Sequence, residues 1–172
     1  TKEVDMGSLG THTLRIANKS TPSECSTTGF SQTACGFVLE FADIITSHRM
    51  NPYDSGNIGG WPASEMRTYV NSDIYNALPS DLKSKIINTT VVSSYGLNDS
   101  NNFISTDKLY LLSYVEVWGS NHSSDSVKLV GGNILDGTRQ LEYYGLSDST
   151  TIKTITSGSA KSWWLRSAYI NT

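Results

Sequence analysis

The sequence predicts an α+β domain, and three features carry that expectation. Short segments alternate polar and apolar residues, one stretch places apolar residues at helical spacing, and the connections between them are long and rich in Ser, Thr, Asn and Gly. A chain of 172 residues buries roughly 70% of its unfolded surface, enough for one core. The expectation is therefore a single domain over residues 1–172, with short antiparallel strands, one helical hairpin and long loops.

Residues 11–17 alternate with the period of a half-buried strand, and 36–45, with Val38, Leu39, Phe41, Ile44 and Ile45, read as a second, more buried strand. A segment carrying both cysteines joins them. Residues 51–60 hold Pro52, Gly56, Gly59 and Gly60, which is turn chemistry, so an exposed excursion is expected. Pro62 suits the first position of a helix, and Met66, Tyr69, Val70, Ile74 and Leu78 follow at spacings of three or four. Ser72 is placed to recap that helix midway. A second short helix is expected after Pro79, with Ser80 as its cap and Leu82, Ile86 and Ile87 on its buried face. These two helices make the hairpin.

Residues 89–94 are β-branched and predict a strand, 97–102 are polar and predict a loop, and 108–112 predict another strand. Ser113, with Glu116 three residues on, has the pattern of a capping box opening a helical turn that reaches Trp118. Residues 119–137 read as loop, 139–144 fit either a helical turn or a strand, and 162–167 read as a strand. No internal repeat at a period of about 20 to 50 residues is visible, which removes solenoids and propellers.

Composition narrows the setting. The 26 Ser, 18 Thr and 12 Asn form about a third of the chain while charged residues are 17%, so short polar side chains keep the surface wet. That balance fits an extracellular module better than a helical cytosolic enzyme. With 13 Lys+Arg against 16 Asp+Glu the net charge is −3, which argues against nucleic acid as a partner. No run approaches the roughly 18 apolar residues of a membrane span, so no membrane insertion is expected. Cys25 and Cys35 lie ten apart; a short disulfide loop is the simplest reading and two buried free thiols the alternative, since two cysteines lack the four ligands of a structural zinc site. Glycosylation sequons begin at Asn18, Asn88, Asn98 and Asn121.

The motifs predict no catalytic constellation and no metal site. His12, His48 and His122 are isolated, without metalloprotease spacing or a nucleophile elbow, and the paired glycines at 59–60 and 131–132 lack the spacing and the Lys of phosphate loops. Glu40, Asp43, Asp107 and Glu116 flank apolar segments and are types that could serve glycosidase chemistry; the expected role is pairing with Arg67 and Arg166 or capping backbone. Acid and amide clusters at 54–57 and 98–102 offer oxygen ligands to calcium without EF-hand spacing, so no cofactor is expected, with calcium the one alternative. Aromatics are the most informative group: Trp61, Trp118, Trp163, Trp164 and nine tyrosines can fill a core or stack on sugar rings. On an extended segment Trp163 and Trp164 point to opposite sides, one toward the core and the other toward a second layer or a ligand. Trp163, Trp164 and Arg166 are the candidate binding residues.

Residues 21–25, 34–45, 60–64, 66–71, 74–80, 106–113, 138–141 and 163–168 add up to a joint pattern covering nearly the whole chain. Its strongest pieces are Gly60-Trp61-Pro62-Ala63-Ser64, the run from Asp107 to Ser113, and Trp163-Trp164-Leu165-Arg166-Ser167. The pattern resembles a bacterial domain family of unknown function found in secreted and surface proteins of gut Firmicutes and in their prophages. What the resemblance implies is a C-type-lectin-like module used for display or binding, akin in layout to ligand-binding domains diversified by retroelements. In that family the segment around Trp163 is followed by a variable stretch and a closing strand. The expectation is that 1–172 lacks these C-terminal strands, leaving an open sheet edge through which a second chain could pair. The implied function is non-enzymatic recognition of a glycan or surface protein, outside the cell, on a bacterial surface or a virion tail. The alternative is a structural or assembly domain completed by a strand from a neighbouring chain.

Overall fold

A computed structural model of the chain describes residues 1–52, 58–94, 102–119 and 137–167. It has an α+β architecture built on an antiparallel sheet of three strands, β1 (Lys2–Asp5), β2 (Thr11–Asn18) and β3 (Val38–Phe41), in the order β1-β2-β3. Val4 stands opposite His12 and Leu14 opposite Phe41, whereas Arg15 stands opposite Glu40. Because side chains alternate, these pairs lie on opposite faces, and the sheet is covered on both. One face packs Val4 and Leu14 with Met6 against Ile74 and Leu78 of the helical segment. The other, with Ala17 and Val38, meets Leu112, Val117, Leu141 and Tyr144.

The strand expected over 36–45 is trimmed to β3: beyond it the Asp43 side chain takes groups of β2, and Ile44 N turns to Thr154 O at 2.9 Å. The Asp43 carboxylate accepts from Thr13 N at 3.1 Å and from the His12 ring at 2.6 Å. Cys25 and Cys35 form a disulfide, and the segment between β2 and β3 winds through two short 3-10 turns, Ser23–Ser26 and Gln32–Ala34. Closing so short a loop stabilises by about 3 kcal/mol in the chain-entropy account.

The first expected helix is real but broken. It starts at Gly60 rather than Pro62 as α1 (Gly60–Ala63), stops where Ser64 turns extended, and restarts as α2 (Glu65–Tyr69) with the Ser64 hydroxyl accepting from Arg67 N at 3.0 Å. Val70–Ile74 then widens into a π-helical turn before α3 (Tyr75–Ala77). Ser72, expected as a cap, instead donates back to Thr68 O at 2.7 Å, a bond that competes with the regular helical ladder. Pro79 precedes α4 (Ser80–Lys83), the short second arm of the hairpin. Leu82 and Ile86 pack on the core as expected, but Ile87 is 75% exposed.

Two strands were displaced from their expected places. The partner of β4 (Thr89–Ser94) is β5 (Asn102–Asp107), in register from Thr89 opposite Asp107 to Ser94 opposite Asn102. Residues 108–112 are not a strand because Asn71 captures their backbone: its amide oxygen accepts from Lys108 N and Leu109 N at 3.0 Å each, and its nitrogen donates to Leu109 O at 2.8 Å. Residues 162–167 are likewise not a strand; the backbone bond from Arg166 N to Leu112 O at 3.0 Å and the Arg166 side chain help to hold them. The remaining elements are α5 (Tyr114–Trp118), α6 (Glu142–Gly145) and a two-residue hairpin of β6 (Lys153–Thr154) with β7 (Ala160–Lys161). The undecided 139–144 stretch resolves as the helical turn α6. The expected loop at 119–137 lies outside the described residues except at its two ends.

Candidate functional site

Three buried charge networks tie the elements together. In the first, Ser113 and Glu116 form the expected capping box of α5, the Ser113 hydroxyl accepting from Glu116 N at 3.1 Å and the carboxylate from Ser113 N at 2.9 Å. The same carboxylate, fully buried, receives both outer nitrogens of Arg166 at 2.6 and 2.7 Å, and hydroxyls from Thr138 at 3.1 Å and from Thr33. Burial alone would push this carboxyl up, but Arg166 and the donors around it hold it below its ordinary value. Arg166 also donates to Leu111 O at 2.7 Å and Val92 O at 3.3 Å.

In the second network Glu40 accepts from Arg15 and Lys153 at 2.9 Å each and from the Tyr144 hydroxyl at 2.9 Å, while Arg15 donates to Tyr143 at 2.7 Å and lies 3.7 Å from the centre of its ring. Desolvation pulls the Lys153 ammonium down from its usual range, against the pull of Glu40. In the third, Asp107 accepts from Trp61 Nε1 at 2.9 Å, Ser105 at 2.7 Å and Arg67 at 2.6 Å. Glu40, Asp43, Asp107 and Glu116 are all engaged with fixed partners. Such carboxylates hold structure.

The first network has a geometric consequence. Glu116 caps the helix whose last residue is Trp118 and anchors the arginine of the segment that carries Trp163. These two tryptophans, 45 residues apart in sequence, come to line one open cleft of about 480 Å³ together with Thr151, Ile152, Lys161 and Ser162. Trp118 packs on Tyr114 with ring centres 4.6 Å apart. The Trp163 indole is fixed by its own Nε1–H, which donates to Thr151 O at 3.0 Å, and Lys153 Nζ sits 5.1 Å from its ring centre. The cleft combines half-buried aromatic surface with hydroxyl and ammonium groups.

Of the residues singled out from sequence, Trp163 is in the cleft. Trp164 points elsewhere, 54% exposed with its Nε1–H donating to His48 O at 3.2 Å, and Arg166 is buried with its bonds directed to protein groups. The alternation of Trp163 and Trp164 is thus as expected although the segment is not a strand. Lys161 was not singled out, and Trp118 only as one aromatic among many; nothing local in sequence pairs position 118 with 163. Among the described residues no group of three or more His, Cys, Asp or Glu could hold a metal. The 54–57 cluster considered for calcium lies outside the described residues, as does 98–102 apart from Asn102. Asn18, a sequon position, is buried and donates its amide to Ser20 O at 2.8 Å and Gly36 O at 2.9 Å, whereas Asn88 is exposed; Asn98 and Asn121 lie outside the described residues. Among the described residues no helix is long and apolar enough to cross a membrane.

Residues 37–172 match the model of the family described as Domain of unknown function (DUF6273), a match that takes in β3 and everything after it, including the cleft. No curated protein and no solved structure matches the chain. With more than three quarters of its length within that match, the chain belongs to the DUF6273 family of domains of unknown function.

Proposed function

We propose that this domain is a non-enzymatic recognition module that holds a carbohydrate in the cleft lined by Trp118 and Trp163, displayed outside the cell on a bacterial surface or a phage tail. The observation that carries the reading is the pairing of two half-buried indoles with hydroxyl and ammonium groups in one open cleft. Indole faces stack on the C–H faces of sugars, while a wet, open site with fixed polar groups matches sugar hydroxyls. The disulfide fits an oxidising compartment, and the polar Ser/Thr/Asn surface fits exposure there. The resemblance of the motifs to surface and prophage domains, and its implication of a C-type-lectin-like layout, point the same way. Glu40, Asp107 and Glu116, locked into ion pairs, do not supply the free acid–base pair that glycosidase chemistry needs.

The test is binding of the domain, clustered on beads, to a broad panel of glycans and mucins, with calcium and with a chelator. The expected result is capture of a subset of glycans by the parent and loss of it in W118A and W163A, both folded. Loss on chelation would add a calcium ion to the site. A blank from folded protein would contradict the reading and favour an assembly role, for which Ile16, Phe37 and Leu39, exposed on and beside the outer strand β3, offer the surface.

A further inference from the structure

Charge in the cleft is distributed unevenly. Among the described residues its lining holds no Asp or Glu, although the chain as a whole is acidic at −3. Lys161 lines it, is exposed, and has no hydrogen-bond or ion-pair partner among the described residues. It stands opposite Lys153 across the β6–β7 pair, and Lys153 in turn approaches the Trp163 ring. Lys153 shares the Glu40 carboxylate with Arg15 and also feels Asp43, so it is compensated within the protein, and Lys161 is the ammonium open to the cleft. The aromatic platform is therefore flanked by one exposed ammonium, unpaired among the described residues.

Resting on the carbohydrate reading above, we propose that the saccharide this cleft takes is a carboxylate-bearing one, of the uronate or sialate class, with its acid group paired to the Lys161 ammonium. A neutral sugar would leave that ammonium unpaired. An acidic sugar pairs with it, and its ring remains free to stack.

The test uses matched pairs differing only in the acid: galacturonate oligomers and their methyl esters, a hyaluronan tetrasaccharide and its carboxyl-reduced form, and sialyllactose and lactose. Each is titrated against the parent and against K161Q, an exposed substitution that leaves the core intact. The expected result is at least one acidic member bound about fivefold or more tighter than its neutral counterpart at low salt, the size of an exposed ion pair of good geometry. That preference should shrink in about 0.5 M salt, where the Debye length is a few Å, and should vanish in K161Q, which then binds the acidic and neutral members of each pair alike. Equal binding of both members of every pair by the parent would overturn the acidic preference and leave the carbohydrate reading standing. Binding of no member of any pair would overturn the acidic preference, and a blank on the broad panel as well would overturn both.

Discussion

Glu116 carries two tasks with one carboxylate. It closes the capping box that starts α5, and it receives the bidentate guanidinium of Arg166, with hydroxyls from Thr33 and Thr138 filling its remaining lone pairs. A buried pair of this kind is costly to break because the survivor is left charged and unpaired, and the usual penalty is about 3–5 kcal/mol. E116Q is expected to lose that amount at pH 7 in urea unfolding. Its acid limb should change as well. The folded-state carboxyl sits below its ordinary value of 4.5, so its contribution is fully present above that pH and is lost as pH falls through the lower folded value. The parent should therefore lose stability below about pH 4.5 more steeply than E116Q; parallel curves would contradict the assignment. The cap itself was legible, since Ser113 and Glu116 are three residues apart. Arg166 was legible as a partner for one of four carboxylates, Glu116 among them, but which of the four it meets, here 50 positions away, was not.

At the scale of elements, Gly60 shows how one position joins two of them. It opens α1 with φ +53°, and a Cβ there would stand 2.4 Å from the Phe103 ring of β5. A left-handed conformation costs a non-glycine residue about 1 kcal/mol and overpacking about 1–3 kcal/mol more. G60A is expected to destabilise by about 2–4 kcal/mol in thermal or urea unfolding, and a change under 1 kcal/mol would mean that Phe103 swings aside freely. Sequence marked this glycine as a turn but could not supply Phe103. The missed strand β5 has a related cause: its buried positions are the polar Ser105 and Asp107 while Ile104 is 63% exposed, so the hydrophobic alternation is inverted. The opposite error at 108–112 arose because an apolar run looks the same whether its backbone pairs with a strand or with the side chain of Asn71.

For the whole molecule, the α+β class, the disulfide and the opposed directions of Trp163 and Trp164 were readable from composition, spacing and alternation. The cleft was not, because its lining comes from the end of α5, from 151–152 and from 160–163, and those pieces meet through the buried contacts of Glu116 with Arg166 rather than through any local pattern. The four tryptophans provide a built-in comparison. Trp61 is buried and donates to Asp107, Trp164 is exposed beside His48, and Trp118 and Trp163 line the cleft. The most direct test is to follow the four indole N–H signals by NMR while titrating a glycan captured in the bead assay. The account predicts that the Trp118 and Trp163 signals shift together with one saturation curve while Trp61 and Trp164 stay fixed. Movement confined to Trp164, or saturation that leaves Trp118 and Trp163 unmoved, would place recognition elsewhere and contradict it.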